Sequence, residues 1–251
     1  MRAHPVLLAL SGALVATMLV LSGCAAWRID KGRALAAASE PFEARPRNAA
    51  ARLLIVGDST AVGTGATSPT ASVAGRLSAA MPGLRVDNQG ANGARFADVI
   101  GQLDAVRADR YDAVLVMAGG NDVIFLTRET ELRANVEGAV ARASQLAPMV
   151  VLLPAGNVGN APFFFAPLSW IMSARSRTLH AIVREAAQRH GAHYVTLYRE
   201  RADDPFARQP ERFNAADGLH PSDDGYALWT DDLLAQSPLR TIAGPGGAVP
   251  R

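Results

Sequence analysis

The chain has one cysteine, Cys24, in 251 residues, so no disulfide can form within it. Aromatic residues make up 6%, too few and too scattered for a base-stacking platform. Neither sign of charge dominates: 25 Lys and Arg against 23 Asp and Glu leave a formal net charge of +2. The arginines are spread along the chain and form no block, so a nucleic-acid partner is not indicated. There are five histidines, but no His-Glu-x-x-His, no calcium loop and no Cys/His cluster. No metal or other cofactor is therefore expected. The glycines around Gly63-Thr64-Gly65 match no dinucleotide fingerprint and lack the Gly-Lys-Ser/Thr of a phosphate loop. What is abundant is apolar surface: 49% of residues are hydrophobic, enough for one well-buried domain.

The N-terminus stands apart. Arg2 precedes an uncharged apolar stretch from Val6 to Leu21, which ends in Leu21-Ser22-Gly23-Cys24. This resembles a bacterial lipoprotein signal with its lipobox. The resemblance implies cleavage after residue 23, acylation of Cys24 and a membrane partner through that lipid. Ala25, where an aspartate would retain the protein, implies the outer membrane, facing the periplasm. From the residues alone, an ordinary signal peptide or a membrane anchor also fits. Residues 24–50, with Pro41 and Pro46, read as the lipidated cysteine and a tether, with room for a short helix over Ile29–Ala38. Residues 237–251 are rich in Gly and Pro and read as a flexible tail.

Between them, residues 51–236 alternate. Strands are expected at Arg52–Val56, Leu84–Asn88, Ala113–Met117, Met149–Leu153 and His193–Leu197. Helices are expected near Ala71–Ala80, Phe96–Ala108, Glu129–Leu146, Ser176–His190 and Ser222–Ala235. Five short apolar runs alternating with helices predict a parallel five-stranded sheet in an α/β/α sandwich with right-handed crossovers. Pro154–Met172 breaks the alternation as a long apolar loop containing Phe163-Phe164-Phe165 and Trp170. It caps the core, walls an acyl-binding site as a lid through Phe164, Phe165 and Trp170, or contacts a membrane or partner.

Four segments carry chemistry. Gly57-Asp58-Ser59-Thr60 ends the first strand and offers a serine hydroxyl at the sheet edge where α/β folds bind ligands. Alone, Ser59 reads sooner as a helix cap than as a nucleophile. Asp217-Gly218-Leu219-His220-Pro221 offers an imidazole with a carboxylate three residues earlier, able to set its tautomer. The same turn also reads as a helix entry. Gly119-Gly120-Asn121-Asp122 follows the third strand, and Asn88-Gln89-Gly90-Ala91-Asn92-Gly93 the second; both also read as plain turns. Acyl transfer by serine needs a hydroxyl, a base, a group orienting the base, and oxyanion donors. The four segments offer all of them in one chain.

Together these blocks resemble the SGNH/GDSL hydrolases, esterases and lipases of flavodoxin-like architecture. The resemblance implies Ser59 as nucleophile, with Asp217 and His220 completing a triad. It implies an oxyanion hole from Ser59, Gly93 and Asn121, with Gly90 as rival to Gly93. Thr60 departs from the family's Gly-Asp-Ser-Leu. The implied substrate is a small-molecule or lipid ester: an acyl ester, lysophospholipid or thioester. The alternatives are O-deacetylation of a carbohydrate and a non-catalytic envelope scaffold. Asp58 and Asp122 are expected to hold turns and not to transfer protons.

Overall fold

The structure, a computed structural model, describes residues 23–107 and 110–243. The expected signal peptide, except its last residue Gly23, and most of the expected tail lie outside those residues. The chain runs through a helix over residues 23–38 (α1), β1 (Ala51–Gly57), α2 (Ser59–Val62), α3 (Val73–Ala80), β2 (Leu84–Asn88) and α4 (Phe96–Asp104). Then come β3 (Ala113–Met117), α5 (Gly120–Ile124), α6 (Glu129–Leu146), β4 (Met149–Leu152) and α7 (Leu168–His190). β5 (His193–Tyr194), α8 (Pro205–Arg208), α9 (Pro210–Phe213) and α10 (Asp223–Gln236) complete the fold.

The five strands form one parallel sheet in the order β2-β1-β3-β4-β5. Their apolar runs are continuous because both faces are covered. Successive side chains in β1 alternate between two cores. Leu54 and Val56 join one with residues of α4, α6 and α7; Leu53 and Ile55 join the other with residues of α3 and α10. This order reverses direction between β1 and β3, and ligands of such sheets bind at the carboxyl end of that switch point.

Four segments differ from expectation. β5 is two residues long, not five: beyond it Val195 N still donates to Leu152 O of β4 (3.0 Å), while Thr196, on the sheet's outer edge, exchanges hydrogen bonds with the Gln236 amide of α10 (3.0 and 3.2 Å). α7 starts eight residues before the expected Ser176, at Leu168. Its early turns keep Trp170 and Ile171 exposed, so no apolar stripe announced them. The expected tether is docked. α1 packs on the domain, Ala44 pairs with Val86 (3.0 and 2.9 Å), and Phe42 and Ala44 pack against the α3/α10 core. The domain also extends past 236: Leu239 is fully buried in a short 3-10 turn, Leu239–Ala243.

Candidate active site

β1 ends in Gly57, whose φ of +145° is open mainly to glycine. A β-carbon there would lie 1.8 Å from the Met117 carbonyl oxygen of β3. The Gln102 side chain of α4 holds this peptide from both sides, accepting from Gly57 N (2.8 Å) and donating to Gly57 O (2.9 Å). The chain then turns sharply into α2. Asp58, and not Ser59, is the helix cap: its Oδ1 accepts from Thr60 N (2.8 Å) and Thr60 Oγ1 (2.7 Å). Burial raises the Asp58 pKa against those two hydrogen bonds. Ser59 is left with its hydroxyl aimed at His220.

Ser59 Oγ donates to His220 Nε2 at 2.9 Å. On the other side of the ring, His220 Nδ1–H donates to Asp217 Oδ2 at 2.5 Å. A carboxylate only accepts, so this contact fixes the tautomer and leaves Nε2 as the acceptor. Asp217 is 1% exposed. Burial pushes its pKa up, but His220 and the amides of Leu219 (3.0 Å) and His220 (3.1 Å) outweigh it, leaving the group below its ordinary value. The turn closes on Gly218 in the left-handed region (φ +69°), with Ala215 N bound to His220 O (2.8 Å).

Asn121, at the start of α5, lines the same cleft as Ser59 and His220. One of its amide protons goes to Ala94 O (3.0 Å), leaving the second to donate elsewhere. Asp122 Oδ2 accepts from Phe96 N (3.0 Å), the turn-holding part expected of it. The two candidate glycines separate clearly. The Gly90 amide is taken by Asn88 Oδ1 (2.9 Å), and a β-carbon on Gly90 would lie 2.8 Å from Ala61 Cβ. Gly93 has φ +82°, with no atom within 4 Å of where its β-carbon would be.

Sequence reasoning missed what holds the Gly93 loop. Asn92 Nδ2 donates to Ala36 O of α1 (3.1 Å), and Asn92 Oδ1 accepts from Thr64 Oγ1 (2.6 Å). Thr64 is in turn held by Ser39 (2.9 Å) and by the fully buried Tyr226 hydroxyl on its carbonyl (2.7 Å). A β-carbon on Gly32 of α1 would sit 3.3 Å from Asp217 Oδ2. The segment read as a tether thus packs directly behind Asp217.

The cleft beside Ser59 is open to solvent and spans about 750 Å³, part of which is that open solvent. Its apolar walls come from Ile124, Ala155, Val158, Leu197, Leu219 and Trp229, with Asn157, Arg199, Asp204 and Asn214 supplying polar groups. The expected wall of Phe164, Phe165 and Trp170 is not part of it. Phe164 is buried in the core, and all three line a different cleft, with Asn160 and Arg177. The reason is topological: only residues 155–161 of the long loop reach the cleft, and the chain then turns outward into α7. The inner part is pinned from behind. Ser176 Oγ accepts from Val158 N (3.1 Å), and His180 Nε2 donates to Ala155 O (2.8 Å) while Nδ1 accepts from Tyr194 OH (2.6 Å). Burial lowers the His180 pKa to about 4, so the ring is neutral there. Leu197 follows β5 at the sheet's carboxyl edge, the one signal that pointed to it. Among the described residues, no group of three or more His, Cys, Asp or Glu side chains is arranged to hold a metal ion.

A hydroxyl hydrogen-bonded to an imidazole that a buried carboxylate orients can pass its proton to the ring, and the blocks that build this arrangement match a family in sequence. The model of the GDSL-like lipase/acylhydrolase family matches residues 55–228. The chain belongs to that family. Among its GDSL-like relatives, an esterase of Mycobacterium tuberculosis (Rv1075c) is 30% identical over 190 residues, covering 72% of this chain and 60% of the relative. This chain therefore spans about three fifths of that relative's length. Solved structures share the GDSL-like fold at low identity. A member of the lipolytic G-D-S-L family from Veillonella parvula has a TM-score of 0.58 at 19% identity, covering 73% of this chain and 96% of its own. The acetylxylan esterase Axe2 of Geobacillus stearothermophilus has a TM-score of 0.54 at 22% identity, covering 81% and 99%. TesA has a TM-score of 0.60 at 20% identity, covering 76% and 99%.

Proposed function

We propose that this protein is a serine esterase that cleaves carboxylic esters through Ser59, His220 and Asp217. The observation that carries the reading is the position of His220, hydrogen-bonded to Ser59 on one nitrogen and to a buried carboxylate on the other. Ser59 Oγ attacks the ester carbonyl while His220 Nε2 takes its proton. The charge that forms on the carbonyl oxygen is met by the Ser59 amide, the Gly93 amide and the Asn121 side chain. His220 returns the proton to the departing alcohol. It then activates water, which releases the acid and restores Ser59. Asp217 stays ionised and steadies the charged imidazole.

The apolar walls beside Ser59 favour acyl esters longer than acetate. The polar group formed by Asn157, Asp204 and Asn214 in the same cleft supports the second reading, a carbohydrate O-acetylesterase. The test is kcat/KM of the full chain in detergent across p-nitrophenyl esters of rising acyl length. Activity that climbs beyond acetate and disappears in Ser59→Ala is the expected result. Activity confined to acetate would favour the carbohydrate reading. Absence of any Ser59-dependent hydrolysis would leave a scaffold.

We also infer that the chain is held at a membrane through Cys24 and resides in the bacterial envelope. Cys24 is exposed at the start of α1, directly after the apolar run. Among the described residues no helix is long and apolar enough to cross a membrane, so the anchor would be the acylated cysteine or the run before it. Mass spectrometry of the detergent-extracted protein tests this: N-terminal acyl groups on Cys24 are expected, and an unmodified cysteine would refute the lipid anchor.

A further inference from the structure

Among the described residues, eight large apolar side chains are exposed, and all fall in three short segments: 27–29, 125–126 and 165–171. Trp170 is 70% exposed, and Trp27 and Phe165 are each 53% exposed. Apolar residues scattered singly over a surface need no explanation, but a contiguous patch marks a contact site.

Contacts join the segments. The Arg28 guanidinium stacks 5.2 Å from the Phe165 ring and also donates to Pro162 O. Phe165 and Trp170 line one cleft. Arg175, one turn beyond Ile171 in α7, donates to Thr127 O, next to Leu126. The patch borders the reactive cleft as well. Phe163 N donates to Gly218 O (2.9 Å) beside Asp217, and Ile124, next to Phe125, lines the Ser59 cleft.

We propose that this face seats on a lipid bilayer and turns the mouth of the Ser59 cleft towards the membrane surface. The proposal rests on the anchoring reading above and adds the orientation that anchoring alone leaves free. Two observations select lipid as the occupant. The first is where the chain goes. The uncharged run Val6–Leu21 ends just before α1, and Trp27 is three residues beyond Cys24. At about 1.5 Å of rise per residue this is about 4.5 Å, within a headgroup layer of about 5–7 Å. Tryptophan is enriched at that depth. The second is charge. Arg28, Lys31 and Arg33 of α1 stand against Asp30 alone, with Lys31 over the Trp27 ring at 5.8 Å. The first three turns of α7 carry Arg175 and Arg177 and no acidic residue; Arg177 pairs with Glu200 (2.9 Å), so the excess charge of the face comes from α1 and Arg175. Exposed aromatics beside basic side chains suit an anionic lipid surface.

The test uses the full chain reconstituted in vesicles of phosphatidylethanolamine and phosphatidylglycerol with brominated acyl chains. Bromine quenches tryptophan on contact. The third tryptophan, Trp229, is buried and gives a constant background. Flotation of the vesicles reports anchoring, and quenching reports orientation. We expect the protein to float and its emission to be quenched. Trp170→Phe should lose a clear part of that quenching, and Phe165→Glu should weaken it with Trp170 intact. Protein that floats but is quenched equally in wild type and Trp170→Phe is anchored with this face turned away, which overturns the proposal. Trp170 untouched by bromine but shielded from aqueous acrylamide would mean that a second copy covers the face, which also overturns it. Protein that fails to float removes the anchoring reading and this proposal together.

Discussion

His180 makes the wall of the cleft sensitive to acid. The ring is 2% exposed, and burial lowers its pKa from the ordinary 6.5 to about 4. A histidine whose folded pKa lies below its unfolded one adds stability that is fully present above pH 6.5. That stability drains away as the pH falls towards 4, because the unfolded chain binds the proton first. Between pH 7.5 and 5 the linkage is worth about 2 kcal/mol from this one side chain. Other groups act in the opposite sense: Asp58 and Asp122 have raised pKa values, so acidification relieves buried charge at both. The His180 contribution is therefore isolated with His180→Gln. The glutamine amide can still donate to Ala155 O from near the position of Nε2, but it does not titrate. Urea unfolding of both proteins at pH 7.5 and pH 5 provides the comparison. Wild type should lose about 2 kcal/mol more than the variant over this interval. Parallel losses would refute the reasoning, since they would mean that the ring takes up its proton as easily in the folded protein as in the unfolded chain.

Asp217→Asn should leave the fold intact and lower kcat by about 10⁴, because an amide no longer fixes the Nδ1–H tautomer of His220. A loss below tenfold would show that Asp217 does not orient the base. Asn121→Ala should cost about 10²–10³ in kcat with little change in KM, read from steady-state kinetics, and a change in KM alone would remove it from the oxyanion site. Gly57→Ala should not give folded protein, because its β-carbon would sit 1.8 Å from a backbone oxygen in the central strand. A soluble, cooperatively unfolding Gly57→Ala would show that the β1–β3 contact is looser than described.

Much of the site was legible because its chemistry is local. Gly57, Asp58 and Ser59 lie in one turn, and Asp217 and His220 in another, so spacing alone limits what those side chains can do. What distinguishes Gly90 from Gly93 is not wholly local: the Asn88 side chain takes the Gly90 amide and also donates to Ala61 O (2.8 Å) of a different element. The aromatic loop misled for a similar reason. Its hydrophobicity announced a buried or binding surface, but hydrophobicity has no direction. Packing buried Phe164 and left Phe165 and Trp170 facing outward.

By itself, the sequence determined the parallel sheet, the positions of its first four strands and the set of candidate reactive groups. Apolar runs buried on both faces and turns built from Gly, Asp, Asn and Ser are short-range patterns that depend on neighbouring residues only. The tertiary structure alone decided the rest. It brought Ser59 and His220 to 2.9 Å from 161 residues apart. It docked α1 behind Asp217 and walled the cleft with Leu197, Leu219 and Trp229. Those outcomes depend on how distant segments cross at the sheet's carboxyl edge, and no pattern along the chain records which of them meet.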